Sequence, residues 1–125
     1  MPPRVIDSNI LIYHLAEDPG VTVALTEWML GSEHLFISAI TRVEVLAAPV
    51  MAPEDELKIR RLLDRFLLIS VDTRIADVAA QIRHTYRLAL GDSIIAATAI
   101  LTDAILVTRN TRDFKKVPSL SLFSL

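Results

Sequence analysis

Four acidic residues and one amide stand where a predicted strand ends or a helix begins. Asp7 follows the first strand, and Glu44 lies one turn into the helix after the second. Asp92 opens the helix before the fourth strand, and Asn110 and Asp113 follow that strand. In sheets of parallel strands, ligands bind in the crevice at the carboxyl ends of the strands. We therefore expect these side chains to converge, although they are spread along most of the chain.

Converging carboxylates repel one another, and their pKa values rise unless a cation lies between them. The chain has no cysteine, and the set has no histidine, so its ligand atoms are all oxygen. Oxygen ligands favour a hard ion such as Mg²⁺ or Mn²⁺. An ion of this kind polarises a phosphoryl oxygen and generates hydroxide near neutral pH. The pattern indicates a metal centre suited to phosphoryl chemistry.

Each of these residues also has a purely structural interpretation. Asp is a favoured N-cap, so Asp7 and Asp92 could each cap a helix. Residues 41–44 match a capping box, in which Glu44 would only close the start of its helix. The acid and the amide after the fourth strand could belong to a turn. Pattern alone leaves both interpretations open.

The elements that would position these residues follow from hydrophobic patterning. Short apolar runs predict strands at 5–6, 35–38, 67–71 and 104–108 and a shorter one at 120–122. Helical spacing predicts helices from residue 10 and over 21–30, 41–49, 53–66, 73–86 and 93–101, with a break at Gly91. The inward face of the 53–66 helix is predicted to be Leu57, Leu62, Leu63 and Phe66. Alternating strands and helices predict an α/β fold with a parallel sheet flanked by helices on both faces.

Length and composition indicate one domain, spanning residues 1–125. No apolar run is long enough to cross a membrane, and no secretory signal pattern is present. The lack of cysteine excludes disulfides and thiolate metal sites and fits a cytoplasmic location. The net charge of −2 argues against a general polyanion binder. The charge is uneven, because the first half is acidic and the second half is basic.

Four short motifs carry a resemblance to a known family. They are Val5–Asn9, Ser38–Val45, Asp92–Ala99 and Leu106–Phe114. In this order and spacing, in a chain of this size, they resemble the PIN-domain family. The resemblance is specifically to the VapC-type ribonuclease toxins of bacterial type II toxin–antitoxin pairs, and it covers essentially the whole chain.

The resemblance implies an endoribonuclease toxin that depends on Mg²⁺ or Mn²⁺ and hydrolyses RNA phosphodiester bonds. As catalytic residues and metal ligands it implies Asp7, Glu44 and Asp92, with Asp113 as a fourth, more variable acid. Thr108 and Asn110 would be supporting polar positions. It also implies a homodimer, and a cognate antitoxin laid over the active-site groove. The small side chains of Ala96, Ala97 and Ala99 would suit close packing between two copies.

Other residues beside the predicted pocket have two interpretations each. Ser8 could contact a phosphate, or its hydroxyl could bond the turn at the start of a helix. A group of basic residues could steer the RNA backbone or form a solvated turn: Arg109, Arg112, Lys115 and Lys116. Gly91 gives the backbone before Asp92 more freedom, which would place that acid less rigidly.

The alternative function is a non-catalytic PIN-like module that binds RNA or a protein partner. The complete set of acids favours the enzyme. Other chemistries fit less well, because the chain has no glycine-rich phosphate loop and position 9 is Asn where a haloacid-dehalogenase phosphatase needs a second Asp. The histidines at positions 14, 34 and 84 are too far apart in sequence to suggest a shared site.

Overall fold

The computed structural model describes residues 2–31, 34–48 and 52–125. The strands are β1 (Arg4–Ile6), β2 (Leu35–Ser38), β3 (Leu67–Ile69), β4 (Ile105–Thr108) and β5 (Leu122–Ser124). The helices are α1 (Ser8–Leu15), α2 (Pro19–Leu30), α3 (Ala39–Leu46), α4 (Glu56–Leu63), α5 (Thr73–Tyr86), α6 (Leu90–Leu101) and α7 (Thr111–Phe114). A short 3-10 turn, Pro53–Asp55, leads into α4.

The strands form one parallel sheet in the order β3-β2-β1-β4-β5. This confirms the predicted α/β fold. β1 is central, with Val5 opposite Phe36 of β2 and Leu106 of β4. The chain moves outward from β1 in one direction to β2 and β3, and in the other direction to β4 and β5. Such a reversal opens a crevice at the carboxyl ends of the strands, and Asp7 follows β1 at that crevice.

Successive residues of a strand point to opposite sides of the sheet. Because the strand residues on both sides are apolar, helices cover both faces. Val5 and Leu106 pack in one core with buried residues of α5 and α6. Ile6 and Val107 pack in the other with buried residues of α1, α2 and α4. Phe114 of α7 is fully buried in the first core, which anchors the segment after β4.

Several element boundaries differ from the prediction. α3 begins two residues before Thr41, because the Ser38 hydroxyl accepts a hydrogen bond from the Ile40 N–H at 3.2 Å and so caps the helix earlier. α6 begins at Leu90, so Gly91 lies within the helix and does not break it. The third strand is shorter than predicted, the fifth lies two residues later, and the predicted helix end at Pro49 lies outside the described residues.

Two predictions about packing are wrong. Leu57 is 59% exposed, and Ile59 takes the inward position on α4, where the α-helix begins only after a 3-10 turn. The alanines at positions 96, 97 and 99 are fully buried inside the domain. They are therefore not available for packing between two copies. In the described ranges, no helix has the length and apolar character needed to cross a membrane.

Candidate active site

Asp7 stands at the end of the central strand and is only 3% exposed. Its backbone occupies the N-cap position of α1, but its side chain makes no capping hydrogen bond. The Thr108 hydroxyl at the end of β4 instead donates to Asp7 Oδ2 at 2.7 Å. Thr108 Oγ1 in turn accepts a bond from the Asn110 N–H at 2.9 Å. The carboxylate is held by the neighbouring strand, so the interpretation of its side chain as a cap is wrong.

Glu44 reaches the same crevice from α3. Because Ser38 caps that helix, Thr41 lies inside it, and the capping-box interpretation of Glu44 is wrong. The Ser8 hydroxyl donates to Glu44 Oε1 at 2.6 Å, across 36 positions of sequence. Ser8 therefore orients the carboxylate of Glu44, a role that neither of its sequence-based interpretations included.

The sequence reasoning missed Thr41, which lies beside Ser8 and Glu44. It is fully buried, and its Oγ1 lies 3.2 Å from Ser8 Oγ. Thr41 and Glu44 are three residues apart on one helix, so they share a face. That spacing was the available signal, but it was attributed to a cap.

Asp92 lies in the first turn of α6, whose N-cap is Ala89, so it is not the helix cap. The start of α6 runs close to Glu44. A Cβ placed on Gly91 would lie 3.1 Å from Glu44 Oε2. The carboxylates of α3 and α6 are thus brought together by helices that lie far apart in sequence.

The carboxylates influence one another electrostatically. The pKa of Asp7 is raised from 3.8 to about 6, first by burial and then by the charges of Asp92 and Glu44, against the lowering effect of the Thr108 hydrogen bond. The pKa of Asp92 is raised by burial, then by the charges of Glu44 and Asp113. Among the described residues, no salt bridge neutralises Asp7, Glu44 or Asp92. The structure therefore brings the predicted acids into one electrostatically coupled group.

The family model of the PIN domain matches residues 4–120. The chain belongs to the PIN-domain family. This PIN domain is 32% identical over 123 residues to Ribonuclease VapC19 of Mycobacterium tuberculosis, covering 94% of this chain and 96% of that protein. It is also 32% identical over 118 residues to Ribonuclease VapC10 of the same species, covering 88% and 84%.

Solved structures resemble this PIN domain over nearly its whole length. A toxin–antitoxin complex from Klebsiella pneumoniae matches with a TM-score of 0.83 and 32% identity, covering 98% of this chain and 99% of that chain. DNA-bound VapBC from Salmonella typhimurium matches with a TM-score of 0.84 and 25% identity, covering 99% and 98%.

The donor set of this PIN domain fits a hard divalent ion. All its ligand atoms are carboxylate oxygens. Burial and repulsion between the carboxylates raise the pKa values of Asp7 and Asp92. These are the conditions that a bound cation relieves. Within the described ranges, no three His, Cys, Asp or Glu side chains are close enough to hold an ion as they stand. Since like charges repel, metal-free carboxylates are not expected to close up on their own.

The basic residues after β4 differ in their surroundings. Arg109 donates to both carboxylate oxygens of Asp18, at 2.9 and 3.0 Å, and to the Leu125 carbonyl at 2.9 Å. Its guanidinium also lies 4.7 Å from the ring centroid of Tyr13. Arg109 therefore links Leu125, which follows β5, to Asp18, the N-cap of α2. Its contact with RNA stays a prediction. The other three basic side chains are exposed to solvent: Arg112, Lys115 and Lys116. Lys116 Nζ lies 3.6 Å from Asp113 Oδ1.

Proposed function

We propose that this PIN domain is a metal-dependent endoribonuclease of a toxin–antitoxin pair. The observation that carries the proposal is the buried carboxylate of Asp7, which is coupled to Asp92 and Glu44 without a neutralising cation among the described residues. A non-catalytic binding module does not require such a repulsive group, so the group favours the enzyme. The 32% identity to ribonucleases over nearly the whole chain supports the enzyme further.

In this proposal, Asp7, Glu44 and Asp92 hold Mg²⁺ or Mn²⁺, and Asp113 is a fourth acid near it. When bound, such an ion activates water and stabilises the charge that develops on a phosphodiester. The protein contributes orientation. Thr108 fixes one oxygen of Asp7, and Ser8 fixes one oxygen of Glu44. Both supporting hydroxyls are buried, so they hold these two oxygens from within the domain.

The substrate in this proposal is RNA in a single-stranded or looped form, since the bases of an A-form duplex are hard to reach. Arg112 lies on α7 and Lys115 directly follows that helix; both side chains are exposed and close in sequence to Asp113. Their charges would offset the repulsion between the acidic group and the RNA backbone. Asn110 stays a proposed supporting residue, through its backbone contact with Thr108.

Purified protein is expected to cleave RNA with Mg²⁺ or Mn²⁺ and to stop when a chelator is added. Glu44→Gln removes one ligand charge and is expected to lower the cleavage rate by at least about 100-fold. Glu27→Gln, an exposed change on α2, serves as the matched control and should leave the rate unchanged. Cleavage that continues undiminished in excess chelator would rule out the metal mechanism.

The partner in this proposal is an antitoxin that covers exposed apolar side chains. Val43, next to Glu44, is 59% exposed, and Val23 and Leu30 of α2 are 68% and 80% exposed. Expression of the chain alone should arrest growth, and co-expression of the antitoxin encoded beside it should relieve the arrest. Growth arrest that persists with the antitoxin would contradict this partnership.

We also propose a homodimer, which now rests on the family resemblance alone because the three alanines are buried within the domain. Light scattering at tens of micromolar should give twice the mass of the chain. A monomer at that concentration would contradict the dimer.

A further inference from the structure

An open cavity of about 700 Å³ lies between the end of α5 and the start of α6. Its lining residues are Ala80, Arg83, His84, Arg87, Leu88 and Ala89. Two arginines and a histidine contribute to this lining, and no acidic residue does. The cavity therefore has the opposite charge character to the carboxylate group.

The cavity adjoins the candidate active site through the first turn of α6. Ala89 lines the cavity and is the N-cap of α6, and Asp92 lies in the first turn of the same helix. The two residues are therefore within about one helical turn, or roughly 5 Å along the axis. Ala89 offers no side-chain cap, so the N–H groups that begin α6 lack a side-chain acceptor from it.

The cationic groups of this cavity are not neutralised by acids in the described part of the chain. Neither Arg83 nor Arg87 forms a salt bridge there, whereas Arg109 is paired with Asp18. Arg83 Nη1 donates to the Leu88 carbonyl at 3.0 Å, which orients its guanidinium at the cavity lining. Its other N–H groups make no hydrogen bond to the residues that the structure describes.

We propose that this cavity binds a phosphate of the RNA substrate beside the cleavage site, an inference that rests on the proposed function. An acidic centre repels a polyanion, so productive binding needs cations close to it. The planar guanidinium of Arg matches the geometry of a phosphate oxygen pair. Phosphate contacts of this kind supply most of the affinity that does not depend on sequence.

The structural alternative is that these residues only complement the negative end of the α5 macrodipole. Arg87 allows the two interpretations to be separated. It ends α5 with a φ of 59°, a left-handed conformation that glycine adopts without steric cost. Arg87→Gly is therefore expected to raise the melting temperature, so that any loss of RNA binding cannot be attributed to a damaged fold.

The test measures binding of a labelled single-stranded RNA by fluorescence anisotropy, in an Asp7→Asn background so that the RNA stays intact. Arg87→Gly and Arg83→Gln should each weaken binding by about tenfold at low salt. Each should also reduce the slope of log affinity against log salt by about 0.7. Two controls should bind as the background does: Arg74→Gln at the other end of α5, and Asp103→Gly, which relieves another left-handed residue at φ 53°.

Unchanged RNA affinity in the Arg83 and Arg87 variants would overturn the inference while leaving the proposed function intact. Unchanged RNA affinity combined with weaker antitoxin binding would assign the cavity to the protein partner and would also overturn it. If the background protein binds no RNA and the wild type cleaves none, the proposed function fails, and this inference fails with it.

A separate observation concerns Gly91, the second residue of α6. No glycine in the described ranges has a positive φ, so the backbone here does not require glycine. A Cβ at this position would lie 3.1 Å from Glu44 Oε2 and 3.6 Å from Glu44 Cδ. The Glu44 carboxylate would have to move by a few tenths of an ångström, and its other oxygen accepts a hydrogen bond from Ser8 at 2.6 Å, so the shift acts on that bond.

We infer that Gly91 is a positioning residue, which allows Glu44 to lie against the start of α6 beside Asp92. Its role in metal binding rests on the proposed function. The sequence-based expectation was that Gly91 would loosen Asp92. Since the glycine is helical, its consequence is instead the close approach of α3 to α6.

Gly91→Ala tests this inference, with Gly20→Ala as the matched control. Gly20 is also the second residue of a helix, but a Cβ there would meet its nearest neighbours at an ordinary 3.6 Å. Because Ala is a better helix former, Gly20→Ala should raise the metal-free melting temperature by a few degrees. Gly91→Ala should raise it by less, because its Cβ displaces the Glu44 carboxylate. Only Gly91→Ala should weaken Mn²⁺ binding, by about tenfold in calorimetry, because a ligand is displaced.

In a Glu44→Gln background, adding Gly91→Ala should change Mn²⁺ affinity no further, because the glycine acts through Glu44. Equal Mn²⁺ affinity in Gly91→Ala and wild type would overturn the inference, as would an equal loss in both glycine variants. A wild type that binds no Mn²⁺ at all would instead refute the proposed metal site and this inference together.

Discussion

Asp7→Asn is expected to abolish RNA cleavage and, without metal, to raise the free energy of unfolding at neutral pH. Asp7 is buried, and the charges of Asp92 and Glu44 act on it. Asn keeps nearly the same shape and still accepts the hydrogen bond from Thr108, but it carries no charge. The change therefore removes both the cost of burying an ionised group and its repulsion from the other acids.

This stabilisation depends on pH in a defined direction. The pKa of Asp7 is about 6 in the folded protein against 3.8 ordinarily, so the folded state binds more protons between these values. Stability of the metal-free wild type should therefore fall as the pH rises through this interval. At about 1.4 kcal/mol for each pKa unit, the loss is about 3 kcal/mol when it is complete. Asp7→Asn should lose most of this dependence.

Chemical denaturation with chelator present, at intervals from pH 4.5 to 7.5, measures the effect. Asp72→Asn is the control, because the Asp72 side chain caps α5 through the Ile75 N–H at 2.9 Å and Asn caps as well as Asp. That variant should follow the wild type at every pH. Parallel curves for wild type and Asp7→Asn would show that the Asp7 carboxylate carries no unfavourable charge.

Mn²⁺ is expected to stabilise the wild type by about 2.7 kcal/mol at a hundred times its dissociation constant. For a chain of this size, that corresponds to a rise of roughly 10 °C in melting temperature. A cation that binds between Asp92 and Glu44 relieves the repulsion that raises the Asp92 pKa. Asp92→Asn removes one ligand charge, so its melting temperature should rise much less with Mn²⁺.

Melting curves with chelator and with Mn²⁺ decide this prediction. Asp77→Asn is the matched control, since Asp77 is an exposed acid on α5. It should show the full stabilisation by Mn²⁺. If the ion shifts wild type, Asp92→Asn and Asp77→Asn equally, it binds elsewhere and these carboxylates do not share it.

The sequence was sufficient for the fold class and for the neighbourhood of the acids. Short β-branched runs alternating with helical spacing predict a parallel sheet covered on both faces, because these patterns reflect local burial. Parallel strands put their carboxyl ends at one edge, which is why Asp7, Glu44 and Asp92 could be grouped before any distance was known. The cap of α5 at Asp72 was predictable for the same reason, since a cap is a contact between near neighbours.

The local sequence pattern gave a wrong prediction where a possible capping contact within a helix competed with a hydrogen bond to a residue distant in sequence. Thr41 and Glu44 have the spacing of a capping box, but Ser38 caps α3, and Glu44 accepts its hydrogen bond from Ser8. The three small alanines of α6 were expected to pack between two copies, but the packing of that helix within the domain places them in the core.

Tertiary structure alone decided which side chains hold the acids. Thr108 and Asp7 are 101 positions apart, and Arg109 and Asp18 are 91 apart, so no local periodicity connects them. These contacts exist because β1 and β4 are neighbours in the sheet and because the chain end returns toward α2. The sequence by itself determines the types and the order of the acids. Their hydrogen bonds, their electrostatic repulsion and the close approach of Glu44 to Gly91 arise only when the strands and helices pack together.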